Sequence, residues 1–282
     1  MERQKQAIAI HDISCIGKCS LTVALPVLSA AGISCGVIPT SILSSHTGDF
    51  VGYTFRDLTE DILPILGHWS TLDLEVDAIY TGYLGSKEQT ALMEVVFDRL
   101  AGSDTLLFVD PVMGDHGRLY AGFEADFPAQ MAKLCQRAHI LTPNITEACF
   151  LLGESYREPP HDEDYVNQLI QRLAETFSAK VVLSGVQLDE AQMGAATFDP
   201  ADGKIHYAFR PYVKGRYHGT GDLFASALLS ALLSGLSLER GTEIAVHFVT
   251  EAMAKTPQGH DLKFGVRFET ALPGLMRDLG LI

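Results

Sequence analysis

Four consecutive residues, Gly219, Thr220, Gly221 and Asp222, combine the residue types that anion binding and proton transfer require. They open the apolar stretch 223–238, which predicts a helix beginning at this turn. Backbone N–H groups at a helix start have no partner within the helix and can hold an anion, which glycine lets come close because it has no Cβ. Asp222 would then take a proton from a hydroxyl that attacks a phosphoryl group. A glycine turn with a capping aspartate is the alternative explanation.

A second candidate is Asp110, which follows the apolar run 106–109 and precedes Pro111. A carboxylate at a strand end can reach a hydrated Mg²⁺, whose protein sites use one or two carboxylates together with substrate phosphates. A loop-capping aspartate is the alternative. The glycine-bearing stretch 114–122 is either a mobile cover over a site or an ordinary surface loop.

Asn144 and Glu147 allow two interpretations. An N-cap asparagine with a glutamate three residues later resembles a capping box and predicts a helix start. The functional alternative places both residues at a ligand crevice, with Glu147 near a metal through water.

Imidazole, hydroxyl and phenol groups follow two other predicted strands, at His46, Thr47 and Tyr83. Such groups suit a small polar ring substrate. Each alone is also explained by structure, and His46 in particular by a hydrogen-bonded core histidine.

Apolar runs of strand length alternate with amphipathic runs of helix length. The predicted strands are residues 7–13, 34–38, 78–83, 106–110, 139–142 and 180–184. The predicted helices between them are residues 21–31, 58–66, 87–100, 125–137, 145–152 and 164–177. This alternation predicts a mostly parallel sheet with helices on both faces. An antiparallel hairpin is predicted by 194–198 and 204–209, and the helices 222–233, 238–254 and 268–279 follow.

Polar residues lie at the ends of these strands, namely Asp12, Tyr83, Asp110, Thr142 and Ser184. Ligands of open α/β sheets bind outside the carboxyl ends of the strands, so the polar ends predict a site there without naming its reaction. The sequence contains no linker or repeat, and we expect a single domain over residues 1–282.

The net charge of −14 and the lack of Lys/Arg clusters argue against nucleic acid and anionic membrane surfaces as partners. The most apolar run, 223–238, is too short to span a bilayer. Five cysteines without a Cys-x-x-Cys pair indicate reduced thiols, so we expect a soluble cytoplasmic protein. The sequence contains neither a P-loop nor a dinucleotide fingerprint after the first strand, and a kinase of this sequence would be of another type.

Taken together, these segments resemble the ribokinase-like superfamily and, within it, the pyridoxal/pyridoxamine kinase family. The matching segments occur in the family's order within residues 8–235 and are 45–48, 81–86, 110–115, 142–148 and 219–225. Gly-Thr-Gly-Asp alone marks the superfamily. Ser-His-Thr-Gly and Thr-Gly-Tyr-Leu-Gly-Ser are more specific to the vitamin B6 branch.

The resemblance implies ATP-dependent phosphorylation of the 5′-hydroxymethyl group of a B6 vitamer in pyridoxal 5′-phosphate salvage. It also implies Mg²⁺ and a homodimer, and it leaves a monovalent cation open. Asp222 would be the base, with the anion hole at Gly219, Thr220 and Gly221. The remaining implied residues are Asp110 and Glu147 for the metal, Asp115, Tyr120, Thr142, Asn144 and Ser184 for the nucleotide, and Asp12, His46, Thr47 and Tyr83 for the substrate. The alternatives are a hydroxymethylpyrimidine kinase of thiamine synthesis and a nucleotide- or B6-binding module without turnover, against which the intact Asp222 argues.

One departure from the family concerns substrate preference. Asp12 stands where the family usually has a serine that contacts the substrate ring, although Gly17 matches. A carboxylate can pair with a pyridinium nitrogen or a substrate amine, so we expect Asp12 to favour pyridoxamine.

Overall fold

The structure is a computed structural model that describes residues 3–257 and 259–282. The strands are β1 Gln6–Ser14, β2 Ser34–Leu43, β3 Phe55–Asp57, β4 Ala78–Thr81, β5 Leu106–Val109, β6 Gly114–Asp115, β7 Arg118–Leu119, β8 Ile140–Leu141, β9 Lys180–Val186, β10 Gln192–Asp199 and β11 Lys204–Pro211. The helices are α1 Leu21–Ala30, α2 Thr59–Trp69, α3 Lys87–Leu100, α4 Phe127–Cys135, α5 Ile145–Leu152, α6 Glu163–Phe177, α7 Thr220–Leu233, α8 Leu238–Ala254 and α9 Leu272–Asp278.

One sheet contains nine of these strands in the order β11-β10-β9-β8-β5-β4-β1-β2-β3. The six strands from β9 to β2 pair in parallel, whereas β10 and β11 form an antiparallel hairpin at one edge. The predicted fold class, a mostly parallel sheet with an edge hairpin, is therefore confirmed. The short antiparallel strand β3 at the opposite edge was not predicted, because its three residues are all exposed and carry no apolar pattern.

Helices cover both faces of the sheet, as predicted. One hydrophobic core lies under α2 to α6 and includes Ile8 and Ile10 of β1. The other lies under α1, α7, α8 and α9 and includes Ala7 and Ala9. Alternate residues of β1 thus point into opposite cores, as the period of two in a strand requires. The parallel strands are apolar on both sides because neither face meets water.

The C-terminal helix predicted over 268–279 is interrupted. Phe268–Thr270 forms a 3-10 turn and α9 begins only at Leu272. Pro273 lies in the first turn of α9. Proline is tolerated only in this part of a helix, because farther along its missing N–H would remove a hydrogen bond and its ring would clash with the preceding turn. In the described part of the chain, no helix is both long and apolar enough to cross a bilayer.

Candidate active site

The carboxyl end of β1 carries two adjacent buried polar residues, His11 and Asp12. The pairing of β1 with β2 shifts register between His11 and Ile13. Such a bulge re-aims side chains at the end of a strand and is frequent beside active sites. His11 is on the same side of β1 as Ala7 and Ala9, toward the core under α7, and it is fully buried.

Asp222 lies in the first turn of α7, above this strand end. Its Oδ2 accepts a hydrogen bond of 2.9 Å from the backbone N–H of Ser20, and its Oδ1 lies 3.9 Å from Nδ1 of His11. Its side chain keeps 13% of its surface exposed, so a substrate hydroxyl has access to it. Burial, and to a smaller extent the charge of Asp12, raises the pKa of Asp222 to about 7. A carboxyl group with this pKa is suited to accept a proton near neutral pH.

The turn before Asp222 has the backbone that an anion site requires. Gly219 has φ 76°, and a Cβ there would lie 1.8 Å from the carbonyl oxygen of Lys18, so only glycine fits. Leu223 makes the first intrahelical bond, to the carbonyl of Gly219. Among the described residues, the amides of Thr220, Gly221 and Asp222 have no intramolecular partner and are free for an anion.

Asp110 and Glu147 form a buried acidic pair beside Asp222. Burial, and then the charges of Glu147 and Asp222, hold the pKa of Asp110 well above its usual range. Burial also raises the pKa of Glu147 to about 8, although three backbone N–H groups oppose the shift. Two carboxyl groups kept apart from water and close to each other favour a bound cation, and their oxygens are the ligands that Mg²⁺ prefers.

The capping box predicted at α5 is present. Asn144 Oδ1 accepts the Glu147 N–H, and Glu147 Oε2 accepts the Asn144 N–H, both at 2.9 Å. Glu147 Oε1 accepts a further bond of 3.0 Å from the N–H of Met113. Glu147 thus joins the helix start to the segment after β5, and the structural and the metal interpretation apply to the same side chain.

The residues predicted for the nucleotide lie in two places, at β8 and β9 and in the stretch 114–122. Thr142 and Asn144 follow β8, and the N–H of Ser184 in β9 donates to the Pro143 carbonyl at 2.9 Å. Asp115 and Tyr120 belong to the stretch 114–122, whose two interpretations were a mobile cover and a surface loop. The hairpin of β6 and β7 lies in this stretch, with Asp115 paired to Arg118, and the choice between the two interpretations stays a prediction.

His46 is buried, and both ring nitrogens contact the backbone. Its Nδ1 accepts the N–H of Gly48 at 3.1 Å, which leaves Nε2 to donate to the Lys263 carbonyl at 2.5 Å. This is the bonding expected of a core histidine, and it joins the loop after β2 to the C-terminal segment. Thr47, beside it, is half-buried.

Tyr83 and Asp12 lie near each other, after β4 and within β1. Burial, and then the charge of Asp12, raises the pKa of the Tyr83 phenol to about 12. Its ring lies 5.5 Å from that of Phe123. Asp12 is itself buried, accepts the Ser14 hydroxyl at 3.1 Å, and has a pKa raised chiefly by burial. The phenol and the carboxyl group are therefore close enough to interact electrostatically.

Sequence reasoning missed His11 and the amide of Ser20. The sequence did contain a signal for His11, since His11 and Asp12 are consecutive polar residues in an apolar strand. Successive side chains of a strand point to opposite faces, so one of these two had to lie beneath a helix layer. No local pattern marks the amide of Ser20, since its partner is 202 positions away.

Comparisons with known proteins agree with this geometry. The family model described as phosphomethylpyrimidine kinase matches residues 28–266. The chain belongs to this kinase family. The expected resemblance to the ribokinase-like kinases is confirmed, and the chain is a phosphotransferase.

Relatives include proteins named for vitamin B6. A pyridoxine/pyridoxal/pyridoxamine kinase of Bordetella avium is 34% identical over 264 residues, which cover 88% of this chain and 84% of the relative. The crystal structure of pyridoxal kinase from Lactobacillus plantarum has a TM-score of 0.88 and 31% identity, with 98% of each chain covered. A protein of the phosphomethylpyrimidine kinase type from Bacteroides thetaiotaomicron, crystallised with pyridoxal, has a TM-score of 0.92 and 32% identity, covering 97% of this chain and 96% of that one.

Proposed function

We propose that the protein transfers the γ-phosphoryl group of ATP to the 5′-hydroxymethyl group of a vitamin B6 vitamer, as in salvage of pyridoxal 5′-phosphate. The observation that carries this proposal is the position of Asp222, whose accessible carboxylate adjoins the free amides of Thr220 and Gly221. A base and an anion hole are thereby side by side, as phosphoryl transfer to an alcohol requires.

The residues at the two ends of the crevice support the roles of the two substrates. Asp12 and Tyr83 would hold the vitamer ring with its hydroxymethyl group toward Asp222. Thr142, Asn144 and Ser184 would lie along the nucleotide. Asp222 accepts the hydroxyl proton as the oxygen attacks phosphorus, and the amides at the start of α7 bind the charge on the transferred group.

Asp110 and Glu147 would hold Mg²⁺ together with the nucleotide phosphates. Bound there, Mg²⁺ would neutralise phosphate charge during transfer. The residues fit a hard cation because both present carboxylate oxygens and both have raised pKa values that a positive charge would lower.

Hydroxymethylpyrimidine is the competing substrate, because the matching family model is described by phosphomethylpyrimidine kinase. One coupled assay separates the candidates. ATP consumption is measured with pyridoxal, pyridoxamine, pyridoxine and hydroxymethylpyrimidine, and without acceptor. We expect turnover with at least one B6 vitamer at a kcat/KM above that for hydroxymethylpyrimidine. The reverse order would assign the chain to thiamine synthesis, and no ATP consumption with any acceptor would indicate a binding module without turnover.

The proposal includes a cytoplasmic homodimer. All five cysteines are free thiols, as expected in a reducing compartment. Ile42 and Phe55, on the paired strands β2 and β3, expose large apolar side chains at the sheet edge. Sedimentation analysis tests the dimer, and a monomer at assay concentration would contradict it.

A further inference from the structure

His11 has an unusual environment for an ionisable side chain. It is fully buried on the α7 face of β1, with its ring 4.3 Å from the ring of Tyr80 in an edge-on arrangement. On another side it lies against Gly82, where a Cβ would be 2.1 Å from the imidazole. The imidazole is therefore held in one position by its neighbours.

Neither ring nitrogen of His11 has a hydrogen-bond partner among the described residues. A buried polar group without a partner is costly, so each one in a folded protein calls for an explanation. A carboxylate oxygen, Oδ1 of Asp222, lies 3.9 Å from Nδ1. At this distance a shift of about 1 Å, or one bridging water, completes a hydrogen bond.

One carboxylate oxygen of Asp222 also lacks a hydrogen-bond donor among the described residues. Its Oδ2 is held by the Ser20 amide, whereas Oδ1 has no such donor among the described residues. A carboxylate oxygen accepts more than one hydrogen bond, so a donor on Oδ1 still leaves room for the substrate hydroxyl. We propose that His11 is a positioning residue whose Nδ1–H holds Oδ1 of Asp222, directly or through one water, and so fixes the plane of the base.

This inference rests on the proposed role of Asp222. Burial lowers the pKa of His11 to about 3, so the imidazole is neutral and donates from one nitrogen only. A neutral donor orients the carboxylate without forming an ion pair that would weaken it as a base. Fixing both oxygens, one from the loop after β1 and one from β1 itself, places the base before the substrate arrives.

The test compares two substitutions at one position. His11→Leu removes the donor and keeps an apolar side chain in the core, whereas His11→Gln keeps an N–H donor. We expect His11→Leu to lower kcat about 10- to 100-fold with KM for both substrates unchanged, and His11→Gln to restore much of the loss. If His11→Leu does not fold, His11→Met replaces it. Equal losses in the two variants, or a loss confined to KM, would overturn the proposal.

A double-mutant cycle separates positioning from general disruption. In an Asp222→Asn background, His11→Leu should cause little further loss, since its effect acts through that carboxylate. A full additional loss would show that His11 acts elsewhere. Tyr80→Phe is the matched control, because it removes a neighbouring buried hydroxyl and keeps the ring against the imidazole. It should leave kcat unchanged.

The acceptors distinguish the two proposals. The His11 series is measured with whichever of the three vitamers or hydroxymethylpyrimidine the wild-type protein phosphorylates best. Turnover of hydroxymethylpyrimidine alone would end the B6 proposal and leave His11 testable. No turnover with any of the four would overturn both.

Discussion

The backbone N–H of Ser20 donates a 2.9 Å hydrogen bond to Oδ2 of Asp222, across 202 positions of sequence. This bond connects the loop after β1 to the start of α7. It brings the segment that carries Asp12 and the segment that carries Asp222 to one place above the sheet. Asp222 is thus held by a contact with the loop after β1 and not only by its own helix.

Asp222→Asn should retain ATP binding and lose about 10²- to 10⁴-fold in kcat, which is the usual contribution of a positioned general base. Steady-state kinetics with the preferred vitamer and nucleotide binding by calorimetry provide the measurement. Asp61→Asn, an exposed aspartate in the first turn of α2, is the control for the same chemical change. Near-normal turnover in folded Asp222→Asn would remove this residue from the mechanism.

The pH profile should report the same carboxyl group. Because the pKa of Asp222 is raised to about 7, kcat/KM should rise with pH through neutrality as the base loses its proton. The measurement is kcat/KM for the acceptor between pH 5 and 8.5 at saturating Mg²⁺ and ATP, where the charge of the bound Mg²⁺ should move the midpoint below 7. A flat profile over this range would show that the group titrates elsewhere.

Stability should change in the opposite direction. The pKa values of Asp222 and Glu147, about 7 and 8 when folded, exceed their ordinary values of 3.8 and 4.5. The folded protein therefore binds more protons than the unfolded chain, and its free energy of unfolding falls as pH rises toward 8. The pH range that tests this trend is 6.5 to 8. Burial lowers the pKa of His11, and this shift opposes the trend only below pH 6.5.

Urea unfolding of the nucleotide-free protein across this window should show a loss on the order of 1–2 kcal/mol. Asp222→Asn should reduce the dependence of the unfolding free energy on pH. This variant should also be more stable than the wild-type protein at pH 8. Mg²⁺ with nucleotide should also reduce the dependence of the unfolding free energy on pH, because the positive charge lowers the pKa of the buried carboxyl groups. Stability that increases from pH 6.5 to 8 would contradict the raised pKa values.

Glu147 and Asn144 share a capping box but should differ in their effects. Glu147→Gln should raise the Mg²⁺ concentration needed for half-maximal activity, because it removes a charge beside Asp110. Asn144→Ala should mainly destabilise the start of α5, by about 1 kcal/mol. Magnesium titrations at fixed ATP, with thermal unfolding in parallel, separate these effects. If Glu147→Gln changes only thermal stability, its role is structural.

Local sequence patterns predicted most of this fold, because buried parallel strands and amphipathic helices differ in period. The hairpin of β6 and β7 was not predicted, since two-residue strands carry no period. The same limit applies to β3. The turn at Gly219 was predicted from residue types alone, and its positive φ explains why glycine is required there.

The candidate site was predictable only as a set of strand ends. Asp12, Asp110 and Thr142 lie where the carboxyl ends of parallel strands meet, as that rule predicts. The contacts of His11 and Ser20 with Asp222 were not predictable, because they depend on how α7 is placed over β1. The role of each residue in binding stays a prediction.

Asp12 offers a test of substrate preference. It is buried close to Tyr83, and its side-chain hydrogen-bond partners are the uncharged hydroxyls of Ser14 and Ser20. A buried carboxylate without a full set of partners gains from a cationic ligand. Pyridoxamine carries an amine that is cationic at neutral pH, whereas pyridoxal carries an aldehyde in its place.

We therefore expect the protein to favour pyridoxamine over pyridoxal in kcat/KM, and Asp12→Ser to move the ratio toward pyridoxal. One charge-assisted contact is worth about 1–3 kcal/mol, so the ratio should change roughly 5- to 150-fold. Serine keeps a hydrogen-bonding group of smaller size without the charge, and Asp12→Asn is the matched control that keeps the shape. Both variants should shift the ratio in the same direction if charge decides the preference. An unchanged ratio with activity retained would show that Asp12 only caps the turn after β1.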